Sequence, residues 1–347
     1  MSLDSTPIEP AQTNSALLYA YGFSSWKRKF VRRFLNQPIH FVYFGWQVPD
    51  HATMVIWGSR TLPASVTPSV TLIRIEDGFL RSVGLGADLI QPLSWVIDRT
   101  GIYYDATRPS DLENLLLKNP FEPELLERAA QLRERLVHAG VTKYNVGAGQ
   151  WHRPITAKKV ILVPGQVESD ASIRFGACDI RKNIELLHQV RDLNPDAYIV
   201  YKPHPDVVAG LRLQNEPDAL KWCDTVVVDV PMAALLDQVD EVHVITSLTG
   251  FEALLRGKTV HCYGQPFYAG WGLTVDAYPV ARRNRKLQLD ELIAGALILY
   301  PSYVSRASGE LSTPETVLDE LQSWRAEPIP PVVPFMRKVM RKVLSRE

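Results

Sequence analysis

From residue 17 onward the chain alternates short β-branched runs with stretches of helical periodicity. Apolar runs at 17–21, 40–44, 54–57, 70–75 and 94–98 predict strands, because short runs of this kind fit a pleated, buried surface. Residues 111–118 and 123–138 predict helices. In the second of these, Leu125, Leu126, Ala129, Leu132 and Leu136 recur on one face. Segment 140–154 carries three glycines and little periodicity, which marks a linker. A second series follows, with strands expected at 159–163, 197–201, 241–246 and 259–263. Its helices are expected at 183–192, 231–236, 251–256, 290–300 and 314–325. Strands alternating with helices imply parallel sheets covered on both faces. Two such series predict an α/β chain with two Rossmann-like domains facing across a cleft, 16–150 and 151–328. A polar segment, 1–15, precedes them and reads as disordered, and a tail, 329–347, follows. No internal sequence repeat relates the two halves.

Both ends carry basic amphipathic patterns. Segment 25–35 sets Trp26, Phe30 and Phe34 at helical spacing among Lys27, Arg28, Lys29, Arg32 and Arg33. The tail sets Met336, Val339, Met340, Val343 and Leu344 against Arg337, Lys338, Arg341 and Lys342. Helices of this kind either lie on anionic membrane surfaces or pack their apolar face on the body of the protein. The remaining composition is ordinary. Of 347 residues 46% are hydrophobic, enough for packed cores, and 38 basic residues balance 38 acidic ones, which argues against a nucleic-acid partner. Cys178, Cys223 and Cys262 are too widely spaced for a zinc motif and suit reduced thiols. No apolar run reaches transmembrane length and the polar N-terminus is not a signal peptide. A cytoplasmic location is expected, with peripheral contact at an inner membrane.

The chemistry concentrates where apolar runs stop. Tyr201-Lys202-Pro203-His204-Pro205-Asp206 follows one predicted strand and Ser247-Leu248-Thr249-Gly250-Phe251-Glu252 follows another. Carboxyl ends of parallel strands are where open α/β sheets bind ligands. Ser247, Thr249 and Gly250 would stand at a helix start, whose N–H groups suit a phosphate. Lys202 and His204 would add charge-assisted bonds. Read as plain capping residues, Ser247 and Thr249 need no ligand; the coincidence of two such strand ends favours a clamp. No Asp-x-Asp, P-loop or G-x-G-x-x-G occurs, so a site without metal, for a donor with one phosphate, is expected.

A second, acidic cluster comprises Glu76-Asp77-Gly78 with Arg81, after the strand at 70–75, and Gln166 through Glu168 to Asp170, after the first strand of the second series. Carboxylates from opposite walls of a cleft are what glycosyl transfer uses, one on the oxocarbenium-like carbon and one on a proton. Alternatively, Glu76 and Asp77 brace a turn and Asp170 caps a helix.

The strings IEDGFLRSVGLG (75–86), GIYYDATRPSDLE (101–113), VPGQVESDASI (163–173), YKPHPD (201–206), SLTGFEALLRGK (247–258) and CYGQPFYAGWGLT (262–274) closely resemble the KpsC-type capsule polysaccharide proteins. These are retaining β-Kdo transferases, Kdo being 3-deoxy-D-manno-oct-2-ulosonic acid, and their larger members carry two catalytic modules where this chain has room for one. The resemblance implies a GT-B fold, CMP-β-Kdo as donor, a Kdo-bearing glycolipid as acceptor, and proximity to capsule assembly and export proteins. It assigns His204 and Pro205 to CMP binding, Ser247 and Thr249 to the CMP phosphate, and Glu252 to the ribose. Its Gln-x-x-x-Asp motif falls on Gln166 and Asp170. Retention would follow from attack by Asp170 on C2, then displacement by an acceptor hydroxyl deprotonated by Glu76 or Asp77. Arg81 or Arg174 would pair with the Kdo carboxylate. The rival expectations are another GT-B CMP-sugar enzyme and a non-catalytic capsule assembly partner that binds polysaccharide.

Overall fold

A computed structural model describes residues 17–83, 90–143, 147–208 and 218–327. The basic tail at 329–347 and the polar segment at 1–15 lie outside the described residues, as does the end of the 75–86 string. In the first half the chain runs β1 (Leu18–Tyr21), α1 (Ser25–Leu35), β2 (Ile39–Val42), β3 (Thr53–Trp57), β4 (Thr71–Asp77), β5 (Ser94–Asp98), α2 (Asp111–Lys118) and α3 (Pro123–His138). In the second it runs β6 (Val160–Pro164), α4 (Ala171–Gly176), α5 (Asn183–Leu193), β7 (Tyr198–Lys202), α6 (Pro205–Val208), β8 (Thr225–Val226), α7 (Met232–Gln238), β9 (Glu241–Val244), α8 (Leu248–Leu254), β10 (Thr259–Cys262) and β11 (Val275–Asp276). The last elements are α9 (Leu289–Ile293), a π-helical stretch Ala294–Leu299, β12 (Pro301–Val304), β13 (Leu311–Ser312) and α10 (Pro314–Ala326).

The second sheet is parallel throughout, in the order β11-β10-β9-β6-β7-β8. The order of successive strands reverses between β6 and β9, and the crevice at their carboxyl ends is the topological switch point where such sheets take ligands. The first sheet, β13-β12-β5-β4-β3-β1-β2, departs from the expected parallel arrangement. β1 to β4 are parallel, but β5 runs antiparallel to β4, and β12 antiparallel to β5. No crossover helix links β4 to β5 among the described residues. Instead Gly78 N–H donates to Ser94 O (2.9 Å) and Leu93 N–H to Arg81 O (2.9 Å), continuing the antiparallel ladder past the strand ends. The range 151–328 is likewise not one body: β12 and β13 return to the first sheet, and α9 packs on α3. The helix expected over 290–300 is α-helical only to Ile293, after which the backbone widens, Tyr300 N–H reaching back to Gly295 O.

Helix α1 settles the N-terminal amphipathic pattern. Phe30, Val31 and Phe34 are buried against β1, β3, β4 and Trp95, with Phe34 stacked 4.6 Å from Trp95. Of the two readings of that pattern, packing on the body holds for Phe30 and Phe34, which cover the sheet. No helix among the described residues is long and apolar enough to cross a membrane.

The two halves are joined by buried contacts. Phe79 lies 4.7 Å from Phe267 and 6.0 Å from Phe251 between ring centroids. Glu113 on α2, 4% exposed, accepts from the guanidinium groups of both Arg282 and Arg283, the latter at 2.9 Å. Removing one partner of a buried ion pair leaves the other charge uncompensated. Glu113→Ala is therefore expected to cost about 3–5 kcal/mol, read as a lowered urea midpoint.

Candidate active site

A cavity of about 400 Å³ opens between the carboxyl edges of the two sheets. From the first half it is lined by Trp57, Glu76, Asp77, Arg81, Tyr103, Tyr104 and Lys143. From the second it is lined by Gln166, Asp170, Lys202, His204, Pro205, Thr246, Ser247, Thr249 and Glu252. The two strand ends and the two acidic clusters singled out in the sequence thus meet in one space. Gly250 and Arg174 do not line it.

Each wall has a local reason. Asp170 caps α4: its Oδ1 accepts Ala171 N–H (2.8 Å) and its Oδ2 accepts the Ser172 hydroxyl (3.0 Å), and the carboxylate stays exposed. Gln166 spans the switch point. Its Nε2 donates to Thr246 Oγ1 (3.0 Å) and its Oε1 accepts Thr246 N–H (2.9 Å), while Asn183 holds its backbone from both sides. Gln166 therefore braces the end of β6 against the end of β9 while lining the cavity. Thr246 and Asn183 are the partners sequence reading missed.

On the wall expected to clamp a phosphate, Ser247 caps α8, its Oγ accepting Thr249 N–H (3.2 Å). Gly250 has a different duty from the one expected. Its N–H goes to Ser247 O (3.0 Å), and a Cβ there would stand 2.3 Å from the Tyr268 hydroxyl, which donates to Ser247 O. Gly250 clears space for the buried tyrosine that fixes the cap. Gly250→Ala should force Tyr268 off that carbonyl and lower stability by about 1–3 kcal/mol, measurable by calorimetry. Lys202 Nζ donates to Val228 O (2.8 Å), and burial lowers its pKa against the opposing pull of Asp229. His204 Nδ1 accepts Asp206 N–H (3.1 Å), so a neutral ring carries its proton on Nε2.

The acidic wall is graded. Asp77 receives Arg81 Nε at 2.5 Å. The carboxylate partner expected for Arg81 is met here from within the chain. Glu76 is pushed up to about 7, first by burial and then by the charge of Asp77, against the Asp77 N–H (3.0 Å) and the charges of Lys27 and Lys143. Glu252 is also raised to about 7 by burial, although Lys143 N–H donates to it at 2.7 Å. A carboxyl that titrates near neutrality can accept a proton during turnover. Lys143, Tyr103 and Tyr104 were not singled out in the sequence; the tyrosines do stand within the 101–113 string.

Among the described residues, one group has metal-ligand types in reach, Glu241, His243 and His261, away from the cavity lining. The two imidazoles stack at 4.2 Å and 12°, so their in-plane lone pairs run side by side, and Lys159 Nζ already occupies Glu241 at 2.8 Å. This arrangement is a Lys159–Glu241 ion pair beside two imidazoles that burial holds toward the neutral form.

A family model described as "Capsule polysaccharide biosynthesis protein" matches residues 54–146 and 123–309. The chain is 45% identical over 312 residues to the capsule polysaccharide modification protein LipA of Neisseria meningitidis serogroup B, covering 86% of this chain and 44% of LipA. It is 45% identical over 259 residues to the lipopolysaccharide-processing protein LpsZ of Rhizobium meliloti, covering 72% and 59%. The chain thus spans under half the length of LipA. Among solved structures it resembles the Thermosulfurimonas dismutans KpsC beta Kdo 2,7 transferase, with a TM-score of 0.74 and 43% identity over 89% of this chain and 99% of that one. The beta Kdo 2,4 transferase of the same KpsC gives 0.76 and 33%, over 87% and 97%. The two-domain GT-B arrangement expected from the sequence is thereby matched along nearly the whole of both neighbours.

Proposed function

The chain belongs to the capsule polysaccharide biosynthesis family, and from that membership we propose that it is a retaining β-Kdo glycosyltransferase. It moves Kdo from CMP-β-Kdo to a Kdo-primed glycolipid. The observation that carries the reading is the convergence of Asp170 and Glu76, from opposite sheets, on the cavity that also holds Lys202, His204 and Ser247. Identity of 43% to the 2,7 transferase against 33% to the 2,4 transferase favours the acceptor's 7-hydroxyl.

A carboxylate oxygen of Asp170 attacks C2 of the sugar; the C2–O bond to phosphate breaks and CMP leaves with the electron pair. Lys202 and the Nε2–H of His204 stabilise the departing phosphate, Ser247 and Thr249 hold it at the start of α8, and Pro205 shapes the cytidine side. No metal is needed, since one phosphate carries the leaving charge. Glu252 takes the ribose hydroxyls. Glu76 then removes the acceptor proton as its oxygen displaces Asp170 from C2, and two inversions give retention. Asp77 is engaged in an ion pair with Arg81, which leaves Glu76 for this step. The enzyme works on the inner face of the membrane that carries its lipid acceptor. Incubation with CMP-Kdo and a Kdo-primed lipid should add one Kdo mass to the acceptor; transfer from another CMP-sugar alone would reject the donor.

A further inference from the structure

Residues 17–48 hold five basic side chains and no acidic one, in a chain balanced at 38 and 38. Lys27 lies inward, its Nζ 3.2 Å from the Trp57 ring centroid, whereas Lys29, Arg32 and Arg33 are exposed. Arg28 and Arg32 lean over the edge strand, 5.0 and 4.7 Å from the Phe41 ring. Just beyond β2, Tyr43, Phe44 and Trp46 are 63%, 59% and 70% exposed.

This loop is built to hold its rings outward. Gln47 Oε1 accepts the N–H groups of Tyr43 (2.8 Å) and Phe44 (2.9 Å), closing the turn. Gly45 is buried so tightly that a Cβ would meet Ser65, Pro63 and Val66 at 2.5–2.9 Å. The Phe44 and Trp46 rings are parallel within 8° at 5.9 Å. Contiguous exposed apolar surface marks an interaction site. Tyr and Trp beside unopposed Lys and Arg is the chemistry of the headgroup region of an anionic bilayer.

We infer that Tyr43, Phe44 and Trp46, with Lys29, Arg28 and Arg32, form a docking surface for an anionic lipid bilayer. β2 lies three strands from β4 in the same parallel run, so the loop stands on the carboxyl edge that carries Glu76, roughly 14 Å away. Docking there sets the mouth of the cavity beside the headgroups. That purpose rests on the lipid acceptor proposed above, but the binding itself does not.

The test is sedimentation of the full chain with vesicles of phosphatidylcholine, with or without about a third phosphatidylglycerol, in the absence of donor and acceptor. The chain should bind the anionic vesicles, less so as salt rises. Phe44→Ser with Trp46→Ser should lower partitioning at least about tenfold, and Lys29→Ser with Arg32→Ser should abolish the preference for anionic lipid. Both variants should keep wild-type melting temperature and transfer to a water-soluble Kdo acceptor. Undiminished vesicle binding by the aromatic variant, no preference for anionic lipid in the parent chain, or binding of a soluble glycan in place of vesicles would overturn the assignment. Loss of transfer in the parent chain would strike the reaction and leave the docking surface standing.

Discussion

Asp170→Asn should lower kcat for Kdo transfer by at least about 10³-fold, the scale of removing a nucleophile, while CMP binding stays near wild type. The substitution is informative because the proposed mechanism gives Asp170 a second duty beside its structural one. As the cap of α4 it accepts Ala171 N–H and the Ser172 hydroxyl, and asparagine caps helices about as well as aspartate. The amide oxygen keeps the cap but cannot form the ester to C2. A fall in activity without a fall in melting temperature therefore isolates the covalent role. Asp170→Ala should lose both, since a missing cap costs about 1 kcal/mol. Full activity in the Asn variant would remove Asp170 as nucleophile.

Glu76→Gln should reduce kcat by about 10²–10⁴-fold, the usual worth of a general base, and should erase the acid limb of the pH profile. Glu76 titrates at about 7, raised from an ordinary 4.5 by burial and the neighbouring Asp77 charge. As a base it works ionised, so the wild-type rate should climb as pH rises through about 7 and level off above it. Stability runs the other way. The unfolded chain ionises this carboxyl near 4.5 and the folded chain near 7, so its contribution is full below about 4.5 and is lost as pH rises through 7. Glu76→Gln should accordingly melt higher than wild type at pH 8 and equal to it at pH 4. A gain in stability coupled to a loss of rate is what a functional carboxyl held in a poor solvent predicts. Asp77→Asn should behave differently, because its partner is Arg81 at 2.5 Å; breaking that pair should lower stability at neutral pH.

The longer elements were legible in the sequence, whereas the short strands β8, β11, β12 and β13 and the short helices α4 and α6 were not. The helices at 111–118 and 123–138 and the strand at 94–98 occur with the expected limits, because periodicity and capping are local properties. Pairing direction is not local. Nothing within 94–98 says whether that strand runs with β4 or against it, and nothing within 301–312 says that it pairs with a strand some two hundred residues earlier. The site divides along the same line. Asp170, Glu76, Lys202, His204 and Ser247 were readable as chemistry at strand ends, and the fold brings them to one cavity. The braces were not readable: Gln166 finds Thr246 across the switch point, 80 positions away, and Gly250 serves Tyr268 through a space visible only in three dimensions. Arg81 with Asp77 is an intermediate case, since the i,i+4 spacing was in view. What it could not show is that a buried guanidinium takes the nearest carboxylate.

Stereochemistry at C2 tests the central claim most directly. CMP-β-Kdo and a short Kdo-primed acceptor are incubated with the chain, and the product is analysed by NMR for anomeric configuration and linkage. The account predicts a single added Kdo in the β configuration, joined through the acceptor's 7-hydroxyl. An α-configured product, or none, would contradict it.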